Sequence, residues 1–172
     1  MNWQQPLIDS FDFVLRGLEK ALANLSPADL DEQPHPDCNS MGWLAWHLTR
    51  GQDRSIADLM GEKQLWIKDG WHAKFKRNPD PADTGFGHKP EDVAAFKSPD
   101  PGTLLNYHKA VLERTKQYLG KLTPAELERK LDHPRFPNVE ARLVATLSDN
   151  LQHLGQVAYV RGLLKGKGWM DA

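Results

Sequence analysis

Two side chains near the carboxyl end of the chain have the types and spacing needed to bind one metal ion together. Asp149 and His153 are four residues apart in a segment with helical apolar spacing, and at about 100° per residue both project from nearly the same side of a helix. Carboxylate and imidazole groups are ligands that zinc, nickel and iron accept. The same spacing also occurs on solvated helix faces and in local hydrogen bonds, so it leaves both interpretations open.

The rest of this helix is expected to divide into a polar and an apolar side. Gln156 and Val160 extend the side of Asp149 and His153, which predicts the wall of a polar cleft. The opposite side is expected to face the core and carries Leu143, Leu147, Leu151, Leu154 and Ala158.

A third candidate, His47, stands among apolar and aromatic residues in the segment 41–48. This setting predicts a buried or half-buried imidazole. The local sequence favours a core histidine with both ring nitrogens hydrogen-bonded, and a metal ligand is the alternative.

Other reactive or charged residues carry weaker signals. The single cysteine, Cys38, has no partner for an intrachain disulfide or a zinc ribbon and no evident base nearby, so an inert thiol is expected. Arg54 could meet an anionic substrate or pair with Asp58, four residues further on. His108 is expected in the core, with a position in the cleft as the alternative. No residue is assigned a catalytic role.

Four long segments with helical periodicity must position these side chains. They cover about residues 7–25, 39 or 40 to 60, 103–121 and 140–164. Almost nothing alternates with the period of a strand, so the predicted class is all-α. Four helices of this length favour a four-helix bundle in one domain, residues 1–172, with a long crossover between the second and third long helices. Short helices are expected after Ser26 and Thr123, where proline follows a capping residue.

The crossover, residues 62–102, contains too many prolines and glycines for one continuous helix. A short helix is expected near residues 89–93. Connections of this length are usually disordered or functional, and the aromatic residues here favour a packed, functional segment. We expect Trp66, Trp71 and Phe86 to lie over the site.

Composition limits the classes of function. The 172 residues carry 22 basic and 23 acidic side chains, for a net charge of -1. Because these charges are interspersed, no concentrated basic face for nucleic acid is expected. No apolar run reaches the roughly 18 residues that span a membrane, and the first residues do not form a signal peptide. These features, with the lone cysteine, predict a cytoplasmic protein.

Two motifs together resemble a known family. Trp43-Leu44-Ala45-Trp46-His47-Leu48, followed by Gln52-Asp53-Arg54, is similar to the second-helix motif of the DinB-like family, also called DinB/YfiT-like metalloenzymes. The segment from Asp149 to Leu164, in which His153 precedes a Gly-Gln pair by two positions, resembles the fourth-helix motif. The resemblance extends over essentially the whole chain.

The resemblance implies a divalent metal ion held by one histidine of the second long helix and two of the fourth. His47 and His153 match two of these positions, and Asp149 stands at the third, where the family pattern has histidine. Two histidines and a carboxylate form a known arrangement for zinc and non-haem iron. Zinc or nickel is therefore expected, with iron as an alternative.

Relatives that the sequence resembles include thiol-dependent S-transferases and a mycothiol-dependent isomerase. The resemblance thus implies a transferase that uses a low-molecular-weight thiol and a small-molecule substrate, with a homodimer possible. A metal-dependent hydrolase is the second interpretation. The third is a non-enzymatic ligand-binding or stress-response protein with a vestigial site, expected if Asp149 faces solvent or pairs with an arginine such as Arg142.

Overall fold

The computed structural model describes residues 3–166, which form nine α-helices and one isolated antiparallel bridge between Lys130 and Asn138. The predicted all-α class is confirmed. Four helices are long: α1 (Gln4–Leu22), α3 (Met41–Met60), α7 (Pro101–Leu119) and α9 (Val139–Lys165). The short ones are α2 (Pro27–Asp31), α4 (Leu65–Lys68), α5 (Trp71–Lys74), α6 (Pro90–Ala95) and α8 (Pro124–Leu127). No helix in this described range is long and apolar enough to cross a membrane.

Local capping chemistry sets where several helices begin and end. Ser26 and Thr123 each accept a hydrogen bond from the backbone N–H three residues later, in a reciprocal capping box. Both caps were predicted, although the reciprocal bond at Ser26 was not. Ser40 caps α3 in the same position, and Gly61 ends that helix in the left-handed conformation, φ 66°. The start of α1, three residues before the prediction, has no side-chain cap.

The long helices pack against one another in pairs. Helix α3 contacts α7 and α9, and α1 contacts the same two helices. Helix α3 is the most enclosed: Leu48, Arg50 and Asp53 are all fully buried. Because α3 and α9 pack along each other, the two motifs singled out in the sequence come together.

The side of α9 that is buried differs from the prediction. Leu151, expected in the core, is 39% exposed, whereas Val160, expected on the polar side, is buried. Thr146 and Asn150 are buried as well. The reason is that α9 packs against both α1 and α3. Its covered face is therefore broader than the apolar stripe and includes polar residues that meet α3.

A buried polar network anchors the crossover to α3. The Asp53 carboxylate accepts hydrogen bonds from the backbone N–H groups of Leu65 (2.9 Å) and Trp66 (2.8 Å) and from the Tyr107 hydroxyl (2.8 Å). The Arg50 guanidinium donates to the backbone oxygen of Asp83 at 2.9 Å. Since unpaired buried charges are costly, these bonds fix the path of the crossover on α3.

The crossover does not cover the site in the way that was predicted. Trp66 and Trp71 are buried in the main apolar cluster, where both rings pack on Tyr107, so the prediction was wrong for them. Phe86 is 79% exposed and lines a cleft next to His47.

Candidate metal centre

The structure brings His47, Asp149 and His153 together. His47 comes from α3 and the other two from α9. One nitrogen or carboxylate oxygen of each residue lies within 4.8 Å of those of the other two, and all three residues are half-buried. These atoms are close enough to share one divalent ion.

The ring of His47 is held in a fixed orientation and tautomer. Its Nδ1–H donates to the backbone oxygen of Thr84 at 2.5 Å, because a carbonyl can only accept. The ring also stacks on Trp43, with centroids 4.7 Å apart. Burial lowers the pKa of His47, and the bond to Thr84 opposes this only in part. The imidazole is therefore neutral at pH 7, with the Nε2 lone pair available to a metal.

His153 is oriented in the same way from within α9. Its Nδ1 lies 2.6 Å from the side-chain oxygen of Gln156, and its Nε2 lies 3.4 Å from a carboxylate oxygen of Asp149. Partial burial lowers the pKa of His153, but hydrogen bonds to Asp149 and Gln156 outweigh it and leave the pKa above its ordinary value. A cation between Nε2 and the carboxylate, whether a proton or a metal ion, is therefore favoured.

Asp149 is directed to the two histidines. Partial burial raises its pKa, but the hydrogen bond and charge of His153, followed by the charges of His47 and Arg135, bring it below the ordinary value. The carboxylate is thus ionised at neutral pH. Arg142, the alternative partner considered from the sequence, instead pairs with Asp58 at 2.8 Å. Asp149 is therefore not drawn away from the histidines by an ion pair with Arg142.

The approach of the crossover to His47 requires a glycine. Gly85 has φ +83°, and a Cβ built there would lie 2.7 Å from Trp43, 2.9 Å from Trp46 and 3.0 Å from Nδ1 of His47. Only glycine combines this backbone conformation with such close contact. Thr84 and Gly85 were not predicted as part of the site. The two glycines flanking Phe86 were the available signal, but they were counted only as helix breakers.

A cleft of about 380 Å³ opens beside His47 and Asp149. Its walls come from α3, the crossover, the loop before α9 and α9 itself. The side chains that line it include Arg54, Phe86, Arg135, Phe136 and Arg142. Its volume is suited to a small molecule. Arg54 and Phe86 were candidates from the sequence, whereas Arg135 and Phe136 were not.

The remaining histidines lie outside the triad. His108 is buried with Nδ1 at 3.0 Å from the Thr49 hydroxyl, in the core as expected. His88 accepts a hydrogen bond from the indole N–H of Trp43, the ring that stacks on His47. Cys38 is exposed. His88 thus supports the site through Trp43.

Comparison with known proteins identifies the family. A family profile described as the DinB superfamily matches residues 10–157. The chain belongs to the DinB superfamily. Among curated proteins, none matches it significantly.

One similar solved structure is described as the crystal structure of the conserved protein of locus from Enterococcus faecalis. It is 29% identical to this chain, with a TM-score of 0.88, and the alignment covers 97% of this chain and 99% of the other. In this DinB superfamily chain, two imidazoles and one carboxylate form a potential site for a divalent metal ion.

Proposed function

We propose that the chain is a divalent-metal-dependent enzyme that transfers or uses a low-molecular-weight thiol. His47, Asp149 and His153 would hold zinc or nickel, with iron as an alternative. The observation that carries the proposal is the orientation of the histidines: Nδ1 of each ring meets an oxygen acceptor, so both Nε2 atoms are directed to the Asp149 side. Nε2 of His47 is free, and Nε2 of His153 faces the Asp149 carboxylate, where a metal ion would replace the proton between them. Such outer hydrogen bonds are characteristic of metal-binding histidines.

A divalent ion held by His47, Asp149 and His153 would lower the pKa of a water or thiol bound to it, and would in this way supply a nucleophile near neutral pH. The chain's own residues bind and position the reactants. Thr84 and Gln156 fix the ligand rings, and Phe86 and Phe136 provide apolar walls in the adjoining cleft. No side chain is assigned as a general acid or base.

The wider setting belongs to the same proposal. We infer one domain, residues 1–172, in which the long helices form a four-helix bundle and α4 to α6 lie in the crossover; the pairwise helix contacts support this arrangement. The partner would be a small molecule rather than nucleic acid or membrane. A free thiol at Cys38 suits the reducing cytoplasm, and a homodimer remains an expectation from the resemblance alone.

Zinc titration tests the metal site. Wild-type protein purified without a histidine tag should bind one zinc ion, and His47→Ala and His153→Ala should each weaken binding by at least tenfold because each removes a ligand. His35→Ala is the control, since this side chain is 66% exposed and lies outside the triad. Equal affinity in all four proteins would refute the site.

Cobalt substitution distinguishes the thiol reaction from hydrolysis. Glutathione added to the cobalt-loaded protein should produce a thiolate-to-cobalt charge-transfer band, whereas S-methylglutathione should not, because its sulfur cannot ionise. If cobalt binds but neither compound produces the band, the metal-dependent hydrolase becomes the better interpretation. If no metal binds, the non-enzymatic ligand-binding or stress-response protein does.

A further inference from the structure

The cleft beside the metal centre combines unpaired positive charge with exposed aromatic surface. From this combination we propose that it selects small substrates that carry a carboxylate on an apolar body, and that Arg54 and Arg135 recognise the negative charge. The inference rests on the proposed function in so far as the bound molecule is a substrate. The observations behind it concern other side chains than the three metal ligands.

The first observation is the charge on the cleft wall. Arg54, Arg135 and Arg142 line it together with the Asp149 carboxylate. Arg142 is already neutralised by Asp58 (2.8 Å). Asp58 was one of two partners considered for Arg54 from the sequence, and it pairs with Arg142 instead. Within residues 3–166, neither Arg54 nor Arg135 forms an ion pair. The cleft wall therefore carries two guanidinium groups without an ion pair, those of Arg54 and Arg135, against the one carboxylate of Asp149.

The second observation is that the loop carrying Arg135 is ordered. Leu131 N–H donates to the Pro137 oxygen at 3.0 Å and Val139 N–H donates to the Arg129 oxygen at 3.2 Å, which closes the base of the loop. Nearer its tip, the backbone N–H of Arg135 donates to Nδ1 of His133 at 3.1 Å. A loop held in this way presents its guanidinium at a lower entropic cost than a flexible loop.

The third observation is the aromatic surface between these charges. Phe86, 79% exposed, and Phe136 line the same cleft. The His133 ring stacks on Phe136 at 4.6 Å, and the Arg135 guanidinium lies 5.4 Å from the Phe136 ring centroid. Phe86 is thus an exposed ring and Phe136 a half-buried one. Aromatic surface beside guanidinium groups that form no ion pair suits a ligand with an apolar body and an anionic group. The volume of about 380 Å³ limits that ligand to a small molecule.

Benzoate and its neutral counterpart benzamide test the inference by calorimetric titration of zinc-free and zinc-loaded protein. Wild type should bind benzoate at least threefold more tightly than benzamide in both forms. Arg54→Gln and Arg135→Gln should each reduce benzoate affinity, and the double variant should reduce it by about tenfold, as expected for loss of charge-assisted hydrogen bonds at an exposed site. Arg16→Gln, an exposed arginine of α1 outside the cleft, is the matched control and should change nothing.

Three results would overturn the inference: no benzoate binding to wild type, equal affinities for benzoate and benzamide, or unchanged benzoate affinity in the double variant. Benzoate binding that requires zinc and ignores both arginines counts as the third result, since the carboxylate would then bind the metal. Zinc titration of the same samples separates the two proposals. Zinc binding without benzoate selectivity refutes only this inference, and benzoate selectivity without zinc binding refutes only the metal site.

Discussion

Replacing Gly85 by alanine is a direct test of how the crossover positions His47, the proposed metal ligand on α3. The new methyl carbon would lie 2.7 Å from Trp43, 2.9 Å from Trp46 and 3.0 Å from Nδ1 of His47. Gly87 offers a matched control, because it has the same φ, +83°, but nothing within 4 Å of an added Cβ. Both substitutions carry a left-handed backbone cost of about 1–2 kcal/mol, and only Gly85→Ala adds the overlap.

The overlap should act on metal affinity through Thr84. To relieve it, the crossover must move away from His47, which breaks the hydrogen bond from Nδ1 to the Thr84 oxygen. Loss of an outer-shell partner typically weakens metal binding about 10- to 100-fold. We expect a zinc affinity loss of this size in Gly85→Ala and less than about threefold in Gly87→Ala, measured by competition with a chelating dye. Melting temperatures check that both variants fold. Equal zinc affinities in the two variants would refute the link between the crossover and His47.

Three further predictions concern the triad and the core. Asp149→Ala should weaken zinc binding, whereas Asp149→His should retain or tighten it. Equal zinc affinities in the wild type and both variants would place the aspartate outside the coordination sphere. Zinc at 100 times its Kd should raise the free energy of unfolding of the wild type by about 2.7 kcal/mol, measured by urea unfolding. The same zinc concentration should not stabilise His153→Ala, and the absence of a gain in the wild type would contradict the metal site. Burial lowers the pKa of His108 from 6.5 to about 4 in the folded protein. As the pH falls, the unfolded chain therefore protonates His108 before the folded protein does, and the free energy of unfolding should fall by about 3 kcal/mol between pH 6.5 and pH 4. Urea unfolding of His108→Gln should lack that part of the pH dependence, and an unchanged slope would contradict the assignment.

Much of the fold was predictable because its signals are local. The long helices were predicted within about three residues at each end, since apolar periodicity and capping residues act within one or two turns. The capping residues Ser26 and Thr123 are examples, because each meets its hydrogen-bond partner only three residues away. Such contacts require no knowledge of the rest of the molecule.

The parts that were not predictable depend on packing between distant segments. Leu151 has the residue type of a core position but is exposed, because the direction of α9 is set by α1 and α3 together. The juxtaposition of His47 with Asp149 and His153 was implied by the family resemblance, whereas helical spacing supported only the pair on α9. The support from Thr84 is a backbone carbonyl, which no side-chain motif encodes.

The hydrogen bonds around the triad divide it into two halves with separate internal support. His47 is held by Thr84 of the crossover, which is tied back to α3 through Arg50. His153 is held by Gln156 within a single turn of α9. The two ring-orienting bonds share no residue, and the bond from His47 to Thr84 is present although position 149 carries a carboxylate instead of an imidazole. This modular construction gives a physical reason why an aspartate is accommodated where the family pattern has histidine.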